Sequence, residues 1–256
     1  MGVQDGLILE VRDITKTFAG GQKENLVVDH VSFSVRKNEF LVILGPGYCG
    51  KTVLLNMIMK LLEPDQGEVL LEGALITKEK MGNKFSMVFQ KMGLMPWKTV
   101  MENVELGPKL RGEDKASRRQ KAQKYIDLVG LTGFENSFPH QLSGGMKQRV
   151  GIARAYANEP EILIMDEPFG QLDAQTRYKM EEELARVWEQ EKRTIIFVTN
   201  NIEEAAFLGD RILLLTECPA RVKEIYDIDI PRPRNMTSME FLQLRKRISD
   251  NTDLAL

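Results

Sequence analysis

The sequence predicts an α/β fold, a mostly parallel sheet covered on both faces, with an N-terminal antiparallel β layer and an inserted α-helical segment. Apolar runs of strand length recur at 40–44 (FLVIL), 86–89 (SMVF), 162–165 (ILIM), 194–198 (TIIFV) and 212–215 (ILLL), and helix-like segments follow several of them. Continuous rather than alternating apolar strands are what a sheet buried on both sides requires. The first ~35 residues instead alternate, in LILEVRDITKTF and VVDHVSFSVRKN around a Gly20–Gly21 turn, as antiparallel strands with one wet face do. From Gln90 to about Ala157 no clear strand occurs, and 115–129 (KASRRQKAQKYIDLV) has helical periodicity with a basic outer face.

One domain over 1–256 is expected, its core and β layer drawn from 1–90 and 157–230, its helical subdomain from 91–156 and a C-terminal tail from 231–256. In the tail, PRPR at 231–234 can be neither helix nor central strand, whereas MEFLQLRKRI beyond it can form a short amphipathic helix, docked on its own core or on a partner.

Composition narrows the partners. With 35 basic and 37 acidic residues the net charge is −2, so no global positive field recruits nucleic acid or an anionic membrane. No apolar run approaches the ~20 residues of a spanning helix, and MGVQDGLILEV lacks a secretory signal's pattern, so a soluble cytosolic chain is expected. Two cysteines, Cys49 and Cys218, argue against a disulfide framework, and two histidines, His30 and His140, against a His-rich metal site.

Chemistry is concentrated at three places. Strand FLVIL runs into GPGYCGKT, Gly45 to Thr52, and then into the helical VLLNMIMKLL, which satisfies G-x-x-x-x-G-K-(S/T) in its required strand–loop–helix context. Gly45 and Gly50 let backbone approach an anion, with Pro46, Gly47, Tyr48 and Cys49 completing the loop. Lys51 supplies positive charge for the β and γ oxygens of a nucleoside triphosphate, and Thr52 can hold Mg²⁺. In ILIMDEP a buried strand ends in two acids: Asp166 suits Mg²⁺ through its water shell, and Glu167 suits polarisation of the attacking water. In LSGGMKQR, Ser143, Gly144 and Gly145 open a helix whose exposed N–H groups make a second anion site.

In this order and spacing GPGYCGKT, Gln90, LSGGMKQR, ILIMDEP and the LD of GQLDAQTR resemble the ATPase subunit of an ABC transporter over nearly the whole chain. LSGG-x-x-Q alone arises by chance in roughly a few per ten thousand chains of this size. The resemblance implies a P-loop NTPase (RecA-like) core, ATP and Mg²⁺ as cofactors, and a head-to-tail pair of subunits. In that pair Ser143, Gly144 and Gly145 of one copy, in a motif that includes Gln148, complete the γ-phosphate site built by Lys51 of the other. It further implies that Gln90 senses Mg²⁺ and the attacking water, that Asp173 lies at the dimer seam and that Phe18 stacks on adenine. The loop KMGLMPWKTVMENV after Gln90 crowds Met92, Leu94, Met95, Pro96 and Trp97 together. Local packing is one account of it; a groove gripping a helix of a membrane-embedded permease is the other.

Two positions depart from the family. Asn200, at the tip of TIIFVT, stands where histidine is usual, followed by Asn201 where aspartate is common. Its amide is neutral and shorter in reach than an imidazole, so slowed but real hydrolysis is expected. Val53 stands where a second hydroxyl is frequent, removing a possible α-phosphate contact. EPFGQLDAQTR and the PRPR tail look most like the nitrate, sulfonate and taurine importers, which implies an extracytoplasmic solute-binding protein as an indirect partner. A catalytically weak regulatory subunit paired with a more active ATPase is the competing expectation.

Overall fold

The computed structural model describes residues 6–20, 23–77, 82–91 and 93–252; Gly21 of the expected turn and Met92 of the loop after Gln90 lie outside them. Strands among the described residues are β1 (Leu7–Gly20), β2 (Lys23–Arg36), β3 (Phe40–Leu44), β4 (Gln66–Leu71), β5 (Ala74–Leu75), β6 (Phe85–Val88), β7 (Ile162–Asp166), β8 (Thr194–Thr199), β9 (Arg211–Leu215) and β10 (Val222–Asp227). Helices are α1 (Lys51–Ile58), α2 (Val100–Val104), α3 (Leu106–Leu110), α4 (Lys115–Leu128), α5 (Gly144–Ala157), α6 (Ala174–Glu191), α7 (Ile202–Leu208) and α8 (Met239–Asn251). The chain divides into two compact units, Met1–Gly82 with Arg193–Leu256, and Asn83–Lys192.

In the first unit β2, β1, β4 and β5 form an antiparallel sheet in that order. Alternation builds it: Leu9, Val11 and Ile14 of β1 and Val31, Phe33 and Val35 of β2 are buried, while Arg12 and Asp13 face water. The β1–β2 register slips between Val11 and Ile14, and Asp13 sits there in the left-handed region, its N–H donating to Ser32 Oγ at 2.8 Å. Across this bulge Gly67, the second residue of β4, stands at φ +85, where a Cβ would collide with the Arg12 and Asp13 carbonyl oxygens.

The same unit sets β3 between β8 and β9, parallel to both, with β10 antiparallel on the outer side of β9. All of FLVIL, TIIFVT and RILLL is buried, and each fully buried Val, Ile, Leu or Phe contributes roughly 2 kcal/mol relative to exposure. β4, β5 and β10 were not among the expected strands. Each is short or charged: β4 reads QGEVLL, and β10 buries only Tyr226 of VKEIYD, so pairing rather than composition makes them strands.

The second unit holds the parallel pair β6 and β7, Phe85 opposite Ile162 through Val88 opposite Met165. Four of its helices start on side-chain caps: Thr99 forms a reciprocal box with Glu102 at α2, Asp114 caps α4, Ser143 caps α5 and Asp173 caps α6. The basic α4 buries Ala122, Tyr125 and Ile126 against α5, where the Tyr125 and Tyr156 rings lie 5.9 Å apart. No helix among the described residues is long and apolar enough to cross a membrane.

Candidate active site

The candidate phosphate loop begins where β3 ends. Gly45 to Gly50 turn the chain from the buried strand into α1, and Gly50 caps that helix at φ 110. A Cβ there would stand 2.9 Å from the Val27 carbonyl oxygen, so backbone conformation and space both demand glycine. Lys51 is 5% exposed and folds back into the loop, donating to the Gly45 and Pro46 carbonyl oxygens at 2.9 and 2.6 Å. Its ammonium therefore sits inside the turn whose N–H groups open α1, a cationic cradle that fits phosphate oxygens. Gly47, Tyr48 and Thr52 are exposed; Pro46 and Cys49 are buried and Val53 half-buried. Burial pushes the Cys49 thiol up, which disfavours the nucleophilic thiolate.

Asn200 leaves the same sheet edge. Leu44 of β3 lies opposite Thr199 of β8, and Gly45 N–H donates to the Thr199 carbonyl at 3.3 Å, so the residues following each strand are neighbours. Asn200 is exposed and makes no side-chain hydrogen bond to the described residues. Asn201 instead turns into the chain, where its Oδ1 accepts from Glu203 and Glu204 N–H at 2.8 and 3.3 Å and caps α7. The sequence signal for that cap was legible, an Asx immediately before an apolar helical run. Phe18 lies 38% exposed on β1, with Lys16 Nζ 5.7 Å from its ring centroid, so its ring is not part of the core.

In the second unit β7 delivers Asp166 and Glu167 at its tip. Glu167 sits at φ 43, a strained conformation for a non-glycine residue, and Gln90 Nε2 donates to its Oε2 at 3.3 Å. The following turn closes as Gly170 N–H donates to the Glu167 carbonyl at 3.2 Å. A carboxylate held by a neutral amide donor keeps a lone pair for a water proton, as a general base must.

At the start of α5, Ser143 and Gly144 are exposed, and Ser143 Oγ accepts from Met146 N–H at 3.3 Å. Gly145 is buried, and a Cβ on it would stand 3.0 Å from Thr176 Cγ2 in the first turn of α6. The α5 start therefore lies beside the loop of Asp173, whose carboxylate accepts from Thr176 N–H at 3.0 Å and is held below its ordinary pKa by that bond. Gln148, the last residue of the motif that the resemblance brings to the nucleotide, is 0% exposed, and neither amide atom has a hydrogen-bond partner among the described residues. At ~3.6 residues per turn, the step from Ser143 to Gln148 rotates it away from Ser143 into the unit's core.

The loop after Gln90 is packed at one end and exposed at the other. Asn103, 0% exposed, accepts from Met95 N–H at 2.8 Å and donates to the Met95, Lys98 and Thr99 carbonyls, which makes the loop a built turn with Leu94 and Met95 half-buried. Trp97 instead stands 70% exposed at a cleft of about 650 Å³ that Met101, Arg119, Glu135 and Phe138 also line. Arg154, which sequence reasoning passed over, reaches from α5 to the Gly93 carbonyl at 2.8 Å and ties this loop to the Ser143 helix.

The ABC transporter family model matches residues 28–170, more than half of the chain. An uncharacterized ABC transporter ATP-binding protein of Methanocaldococcus jannaschii is 48% identical over 94% of this chain and 89% of its own length. An aliphatic sulfonates import ATP-binding protein of Bacillus cereus is 38% identical over 94% of each chain. Among solved structures, a dimeric ATP-binding cassette in a post-hydrolysis state bound to ADP and Pi superposes with a TM-score of 0.74 at 32% identity, covering 86% of this chain and 99% of that one.

Proposed function

The chain belongs to the ABC transporter family, and from that premise we propose that it is the ATP-hydrolysing subunit energising an importer for a small solute, an anion such as nitrate, a sulfonate or taurine. MgATP supplies the γ-phosphoryl group whose transfer to water provides the driving free energy. Lys51 and the N–H groups of the loop bind the β and γ oxygens, Thr52 and Asp166 hold Mg²⁺, and Phe18 stacks on adenine. Glu167 takes the proton of the attacking water, and Gln90, hydrogen bonded to it, orients that carboxylate and reports on the metal. Ser143, Gly144, Gly145 and Asp173 face a second ATPase subunit, a reading supported by the dimeric neighbour and by the exposure of Ser143 and Gly144. The exposed Trp97 cleft is the surface offered to a membrane-embedded permease, with the chain peripheral on the cytosolic face and a solute-binding protein acting beyond the membrane.

The Gln90–Glu167 hydrogen bond carries the proposal of hydrolysis, because it holds the candidate base in place in the chain as it stands. Asn200 favours the second reading, an ATP-binding regulatory subunit beside a more active partner, since its neutral, short amide is the altered contributor. ATP turnover by the chain assembled with its permease, compared with Glu167→Gln and Asn200→His, separates the two. Wild-type turnover stopped by Glu167→Gln and little changed by Asn200→His establishes an engine; turnover that appears only with Asn200→His establishes a switch.

A further inference from the structure

The tail answers what sets the position of Asn200. α7 begins two residues after Asn200 and is only seven residues long, too short to be stable without outside support. Support comes from the chain's own C-terminal segment at both ends of the helix. At the C-terminal end, Arg234 is 7% exposed, and its Nη1 donates to the carbonyls of Ala206, Phe207 and Gly209 at 3.0, 2.9 and 2.6 Å. Its Nε donates to the Ile230 carbonyl at 3.0 Å, and Arg232 binds Asp210 and the Leu208 carbonyl. Two guanidiniums thus satisfy the orphan carbonyls of α7 and place positive charge at the negative end of its dipole. Burial lowers the Arg234 pKa only to about 10, so the cation persists at neutral pH.

α8 packs on α7 with its own Phe241 buried, and at the N-terminal end of α7 Arg245 pairs at 2.5 Å with Glu203, three positions beyond Asn200. Glu204, 3% exposed, accepts from Thr199 Oγ1 at 2.6 Å, locking α7 to the tip of β8. A tilt of α7 breaks contacts at both ends, and the backbone it would carry along is that of Asn200. A short amide has no long side chain with which to recover lost reach.

We propose that the segment from Arg232 to Arg245 is a positioning device for Asn200, with Arg234 and Arg245 acting on ATP hydrolysis through α7 and not by touching the nucleotide. The proposal rests on the reading that Asn200 contributes to hydrolysis. The test measures kcat, the KM for ATP and the melting temperature of the full chain with Arg234→Lys and Arg245→Glu, each alone and combined with Asn200→Ala. The expected result is a three- to tenfold fall in kcat with KM within twofold, a fall absent when Asn200 is already alanine. Arg245→Glu alters an exposed ion pair and keeps the test sound should Arg234→Lys fold poorly. Restoration of kcat by Glu203→Arg in the Arg245→Glu background is also expected. If Asn200→Ala lowers kcat but the tail variants leave it unchanged, or lower it equally in both backgrounds, the positioning role is overturned alone. An Asn200→Ala chain with wild-type kcat overturns the Asn200 reading and this proposal with it.

Discussion

Gly50 and Lys51 show how two adjacent residues divide the work of the loop. Gly50 provides a conformation and an approach to Val27 that a side chain forbids, and Lys51 folds its charge into the space so made. Gly50→Ala is therefore expected to destabilise by roughly 2 kcal/mol or more, since strain at positive φ adds to the clash with the Val27 carbonyl. Thermal denaturation checks the stability, and ATP titration should show binding lost in the same variant. At Glu167 the expectation is kinetic: Glu167→Gln should lower kcat by roughly 10²- to 10⁴-fold while ATP binding persists. Binding lost in parallel with turnover would make Glu167 a structural residue. Both positions were legible as residue types in GPGYCGKT and ILIMDEP. The positive φ of Glu167 was not, because nothing in the local string demands it.

Elements owe their ends to polar residues that the sequence displays openly. Asn201 before IEEAAFL is such a signal, and Asn201→Ala should cost about 1 kcal/mol in chemical denaturation by removing the α7 cap, whereas Asn201→Asp should be near neutral. The β1–β2 hairpin carries a pH-dependent contact that no pattern announced: Asp13 and His30, both at positive φ beside the bulge, pair at 2.7 Å between Oδ1 and Nδ1. The bond to Asp13 raises the His30 pKa above 6.5, so the folded state holds the proton more tightly than the unfolded chain. The contribution is full below the unfolded value and lost as pH rises through the folded one. Melting temperatures of wild type should accordingly fall relative to those of His30→Gln from pH 6 toward pH 8; parallel curves would refute the coupling. Bulge and pair escaped sequence reading because register slips depend on a partner strand distant in sequence.

At the scale of the whole molecule, the helix start at Ser143 and the cap loop of Asp173 lie side by side and exposed. The proposed head-to-tail pairing predicts that Glu167→Gln with MgATP runs as a dimer in size-exclusion chromatography with light scattering. Adding Ser143→Arg should return it to a monomer. A monomer in both cases would leave the exposed α5 start without its partner. The tail is the other feature visible only at this scale: PRPR was readable as neither helix nor central strand, but that its two arginines clamp α7 follows from a fold that brings residue 234 to residue 206.

The sequence by itself determined the strand–loop–helix phosphate motif, the paired acids, the continuous apolar strands and the absence of a strongly charged field, because each depends on neighbours along the chain and on period. It also carried the family, through motifs whose order and spacing are linear properties. Only the tertiary structure decided that Gln148 is core, that β4, β5 and β10 are strands, that Asn201 caps while Asn200 stays exposed, and that the tail docks on its own chain. Those outcomes depend on which remote groups meet. Burial and hydrogen bonding between distant residues are properties of the packed chain, and a string of residue types does not contain them.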